Sequence, residues 1–123
     1  MTIVVRFWIV AGLCALLYLG AGATKVVRPK PALQAAGMGW TENVPGPTVK
    51  LLGLAEVLGA AGLLLPVLLG VATVLSPIAG VCLTVLMVGA VVVHRRRGEP
   101  SGAQVAFTAL TAAATALAVL VVF

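Results

Sequence analysis

The sequence predicts an all-α protein, an integral membrane four-helix bundle, and three observations predict it. Hydrophobic residues make up 62% of the 123-residue chain and charged residues only 9%, against roughly 25% charged in a soluble domain. The mean hydropathy is +1.21. The apolar residues fall in four stretches that consume nearly the whole chain, each near the ~20 residues a helix needs to cross a bilayer. Little remains for a protruding soluble domain, so a single membrane domain over residues 1–123 is expected.

The first span is expected over about 6–24. Its Ala21-Gly22-Ala23 has the small-x-small pattern of a signal-peptide cleavage site. The apolar run is long for a signal sequence, so an uncleaved first helix is expected. Residues 25–47 form the only sizeable polar segment, and Pro29, Pro31, Pro45 and Pro47 bracket it, so no helix crosses it. Its middle, 32–38, could form a short helix on the membrane surface, and Trp40 suits the interfacial zone. The second span is expected over 48–65, stopped by Pro66. The third is expected over 73–94, with Ser76-Pro77 reading as N-cap and first helical position, or as the site of a kink. After Gly98 to Gly102, with Ser101 as a candidate cap, the fourth span runs over 102–123. Its Ala109/Ala113 and Thr111/Thr115 pairs allow close helix approach. A carboxy terminus at a membrane surface is expected.

The net charge is +5, and its distribution matters more than its size. Four spans put both termini on one side and both charged loops on the other. The loop side carries Lys25, Arg28, Lys30, Lys50, Arg95, Arg96 and Arg97, and the terminus side only Arg6. The positive-inside rule places the charged loops in the cytoplasm and the termini outside a multi-pass cell-membrane protein. Beyond orientation, the basic residues read as contacts to anionic lipid. A nucleic-acid partner is excluded, since no basic face has aromatic or motif support. Cys14 and Cys82 lie mid-span without a C-x-x-C pattern, which disfavours a disulfide-relay enzyme and favours plain packing. One His and one buried Glu cannot complete a usual metal site. Nucleophile arrangements and a phosphate-cradling glycine loop are absent.

Glu56 stands out, because it interrupts the apolar run 51–65. A carboxylate at membrane depth costs on the order of 3 kcal/mol if left unpaired, so it is protonated, paired or used. Topology brings companions to it. Lys25 ends the first span, Lys50 opens the second six residues before Glu56, or about 9 Å shallower, and His94 ends the third. All share one half of the membrane, with Trp40 nearer the surface. Gly53, Gly59 and Ala60 lie on the Glu56 side of the helix and leave room for a close neighbour. Three uses remain open. Glu56 is a structural lock, paired with Lys25 or hydrogen-bonded across helices, or it lines with His94 a polar pocket for a small amphipathic ligand such as a quinone head group, or the two relay protons.

Several pieces of the sequence together resemble one family. The run Gly53-Leu54-Ala55-Glu56-Val57-Leu58-Gly59-Ala60-Ala61-Gly62-Leu63-Leu64-Leu65-Pro66 resembles the second-helix signature of the DoxX-like membrane proteins. Met87, Gly89-Ala90, His94 and Arg97-Gly98-Glu99 fit downstream, and Gly37-Met38-Gly39-Trp40 and Lys50 fit upstream. Gly22-Ala23-Thr24-Lys25 matches the family's Gly-x-x-Lys habit. The resemblance covers about 1–100, and the fourth span shows no recognisable signature. It implies four membrane helices, with Glu56, His94 and Lys25 as the family's characteristic polar residues. The family takes its name from small subunits of thiosulfate:quinone oxidoreductases, and relatives are associated with membrane redox systems and oxidative or thiol stress. The expected function is therefore an accessory or anchoring subunit of a membrane redox system, with quinone as the candidate cofactor and a protein partner or a second copy alongside it. The alternatives are a small proton-linked or lipid-like solute carrier and a purely structural assembly module that uses the fourth helix as its contact.

Overall fold

The computed structural model describes residues 2–35 and 38–123, without the side chains of residues 42 and 43. Residues 36 and 37, which belong to the expected surface helix and to the Gly37-Met38-Gly39-Trp40 motif, lie outside the described residues. Helix α1 (Ile3–Val27) begins at Thr2, whose hydroxyl accepts from the Val5 amide at 3.2 Å. It runs through Lys25 and ends at Arg28, which is extended as a residue before proline is biased to be. Short α2 (Lys30–Ala35) carries Pro31 in its first turn, where the missing amide is harmless. A single 3-10 turn, Gly39–Asn43, follows. Helix α3 (Gly46–Leu69), α4 (Leu75–Arg96) and α5 (Gly102–Val122) complete the chain. No strand occurs among the described residues. Helices α1, α3, α4 and α5 are long and apolar enough to cross a membrane, so the protein is a multi-pass membrane bundle.

The structure corrects three local expectations, and one hydrogen bond links the first two. Helix α3 does not stop at Pro66. It continues to Leu69 and closes at Gly70, whose left-handed φ of 67° lets the chain turn. A proline inside a helix frees carbonyls one turn back, and in hydrocarbon these need a donor. The carbonyl that loses its amide is that of Gly62, four residues before Pro66; beside it, in the same turn, the Ser76 hydroxyl donates to the Leu63 carbonyl at 2.6 Å. Serine side chains commonly re-satisfy the backbone around membrane prolines. Ser76 is therefore not the cap of α4, which starts after Val74 without a side-chain cap. Ser101 likewise makes no capping bond; it accepts from Arg95 Nε at 3.2 Å.

The four long helices form a ring in the order α1, α3, α4, α5, and α1 packs most extensively on α3. Phe7, Ala11, Cys14, Tyr18 and Gly22 make a buried stripe on α1 at helical spacing. Ala60, Leu63, Leu83, Ala114 and Ala118 meet it from the other helices. Of the two cysteines, Cys14 is buried and Cys82 is exposed on the outside. On α5, Thr111 is buried and Thr115 stands where a Cβ on Gly80 would go, whereas Ala109 and Ala113 face outward. One polar contact ties the middle of the core. Thr111 donates to the Phe107 carbonyl at 2.7 Å and meets the Tyr18 hydroxyl at 2.9 Å, with the Tyr18 ring edge-on to Phe107. The Tyr18 hydroxyl also reaches the Leu83 carbonyl at a longer 3.4 Å, so Tyr18→Phe removes both contacts and should lower stability by about 1 kcal/mol, measured by unfolding in detergent. Unchanged stability would show that the Tyr18 hydroxyl contributes nothing.

Candidate functional site

A cavity of about 420 Å³ opens at the loop end of the bundle, where the C-terminal ends of α1 and α4 meet the N-terminal ends of α3 and α5. Leu52 of α3 and Leu86, Met87, Ala90 and Val93 of α4 give it apolar walls. Four polar side chains come one from each helix: Lys25, Glu56, His94 and Gln104. Met38 and Trp40, from the segment between α2 and α3, line it as well.

Close approach of two backbones sets the site. A Cβ on Gly22 would lie 2.6 Å from the Gly53 carbonyl oxygen, and one on Gly53 would lie 2.6 Å from the Gly22 carbonyl oxygen. Only glycine at both positions lets α1 and α3 come this close. Three residues beyond each glycine stand Lys25 and Glu56, which are thereby brought into register. Lys25 Nζ donates to Glu56 Oε1 as an ion pair, and Glu56 is only 4% exposed. The Lys25 ammonium also lies 5.5 Å from the centre of the Trp40 ring, an attractive cation–π distance. Glu56 Oε2 has no hydrogen-bond partner among the described residues, and neither does Gln104 Oε1, although both are buried.

The other residues singled out by sequence are sorted by this geometry. His94 lines the cavity with Glu56 but shares no hydrogen bond with it. Its Nδ1 lies 4.0 Å from Glu99 Oε2 on the loop side, and Arg97 Nε donates to the other oxygen of Glu99. Lys50 does not line the cavity. Its Nζ donates to the Val26 carbonyl at 2.9 Å, at the end of α1, where a cation is favoured. Gly53 acts through the helix contact rather than by lining the cavity. Gly59 accommodates the Leu83 side chain of α4, which a Cβ there would strike. Gln104 was not anticipated. The available signal was that it is the sole side-chain amide in the fourth span. Among the described residues no three His, Cys, Asp or Glu side chains group as a metal site.

The cavity therefore combines an apolar slot, one buried ion pair and unfilled acceptors at the loop end of the bundle. Apolar walls with a few convergent polar groups are the usual make-up of small-molecule sites. A family model described as the DoxX-like family matches residues 9–121, which takes in the fourth span that shows no signature by inspection. No curated protein and no solved structure matches the chain.

Proposed function

The chain belongs to the DoxX-like family, and from that premise we propose that it is an accessory membrane subunit of a redox system whose cavity takes the head group of a quinone-type ligand. The observation that supports this is the cavity itself, with polar groups from four helices and otherwise apolar walls. Its volume of about 420 Å³ falls in the usual range for small-ligand sites, roughly 300–1,000 Å³. The residues present fit such a ligand. Leu86, Met87 and Val93 offer a soft apolar surface for a ring, and Lys25, Trp40 and Gln104 carry N–H donors for its oxygens. When bound, the ligand supplies two-electron chemistry to a partner enzyme that carries the redox centre. This chain's part is to hold and orient the head, to exclude water through the Trp40 side, and to pass protons between the cavity and Glu99 through His94.

Calorimetric titration of the detergent-solubilised chain with duroquinone and with duroquinol tests this. At least one form should bind saturably, and Ala90→Phe, which puts a ring into the cavity from α4, should weaken that binding at least tenfold. Failure of both forms to bind, or an unaltered affinity in the variant, would overturn the assignment. We also propose that the charged loops face the cytoplasm, from the excess of Lys and Arg on the loop side of the bundle. Reporter fusions at residue 123 should then signal from outside, and a cytoplasmic signal would reverse the topology.

A further inference from the structure

Resting on the quinone-type reading of this cavity, we propose that it selects the hydrogen-bond-donating form of its occupant, a dihydroxy aromatic head, over the oxidised dicarbonyl form. Two buried acceptors carry the inference, Glu56 Oε2 and Gln104 Oε1, both on residues that line the cavity and both without a partner among the described residues. With Oε1 taken by the Lys25 ammonium, Glu56 accepts at both oxygens. A buried acceptor left unmet is unfavourable, more so when it carries charge, and hydrocarbon on the lipid side offers no donor. A ligand that donates resolves both.

A dicarbonyl head brings acceptors only. Gln104 can turn its amide and donate to one of them. Glu56 cannot, so its Oε2 stays unmet and faces another lone pair. The donors that could hold a carbonyl are grouped toward the loops. Lys25 keeps two N–H groups beyond its bond to Glu56, and Trp40 offers one, so a carbonyl can be held there, but neither donor relieves Glu56 Oε2. A hydroquinone head instead carries O–H groups at opposite ends of its ring. Glu56 and Gln104 stand on α3 and α5, which are not neighbours in the helix ring, so one hydroxyl can address each.

The experiment is calorimetric titration of the full chain in detergent, under nitrogen, with duroquinol, duroquinone and duroquinol dimethyl ether. The ether keeps the ring and its oxygens and loses both donors. Duroquinol should bind at least tenfold more tightly than either of the others. Glu56→Gln, whose amide can donate as well as accept, should shrink the gap to about threefold or less, mainly through tighter duroquinone binding. Gln104→Leu, which leaves the ion pair untouched, should weaken duroquinol severalfold and duroquinone less. A tenfold preference also raises the midpoint potential of the bound couple by about 30 mV, an independent readout. Duroquinone or the dimethyl ether binding as tightly as duroquinol would overturn this inference and leave the quinone-type site standing. Absence of saturable binding by all three would remove both.

Discussion

Replacing Lys25 with methionine should destabilise the bundle by about 3–5 kcal/mol, the usual consequence of removing one partner of a buried ion pair. Glu56 is 4% exposed, its second oxygen already lacks a partner among the described residues, and Lys25 supplies the hydrogen bond to the first. Without the ammonium, a carboxylate sits in a low-dielectric interior with nothing to compensate it. The opposite single change, Glu56→Met, should cost much less. Lys25 lies nearer the loop end, packs over Trp40, and can extend its ammonium toward the head groups. The double variant Lys25→Met/Glu56→Met should recover most of the loss, because a buried pair replaced by apolar side chains of similar volume is often neutral or better. Unfolding of the four proteins in one detergent completes the cycle. A Lys25→Met protein as stable as the parent would remove the pair as a stabilising element. The double variant also separates lock from site: a lock alone leaves a folded bundle with ligand binding intact, whereas a site leaves a folded bundle that no longer binds.

The four spans were legible because their signal is additive: about 20 consecutive apolar residues stand out whatever their neighbours do. Their ends were less so. The proline at 66 reads as a stop, yet α3 passes it, and Ser76 on the next helix donates to the Leu63 carbonyl in the same turn. No local rule carries that information. The meeting of Lys25 and Glu56 was legible because hairpin topology fixes depth, and the glycines preceding each residue mark the faces that touch. Depth does not fix azimuth. On a helix that is apolar all round, nothing in the sequence says which way His94 turns, and it turns toward Glu99 while still lining the cavity. Lys50 lies near the expected depth and is spent on the end of α1. Gln104 escaped notice because a lone amide in a first helical turn looks like an ordinary surface residue. Only the convergence of four helix ends makes it part of a site.

Gly53→Ala should be far more damaging than any alanine substitution at the open glycines of α1. In a helix interior, Gly→Ala alone gains roughly 0.5–1 kcal/mol. Gly12 and Gly20 have nothing within 4 Å of an added Cβ, so alanine there should be neutral or mildly stabilising. At Gly53 the added carbon would lie 2.6 Å from the Gly22 carbonyl oxygen and 2.7 Å from Lys25 Cβ. Both obstacles are on or next to backbone, so no side chain can rotate away and α1 must move off α3. Overpacking of this kind costs about 1–3 kcal/mol, which outweighs the propensity gain. The larger effect is on the site. Separating the helices at Gly53 withdraws Lys25 from Glu56, so the variant should lose ligand affinity at least tenfold even in the fraction that remains folded. Gly22→Ala meets the same wall from the other side, 2.6 Å from the Gly53 carbonyl oxygen and 3.0 Å from Glu56 Cβ, and should reproduce both effects. Thermal unfolding and duroquinol titration of Gly53→Ala beside Gly20→Ala make the comparison. If the two behave alike, the α1–α3 backbone contact does not hold the ion pair in place, and the cavity owes its geometry to some other element.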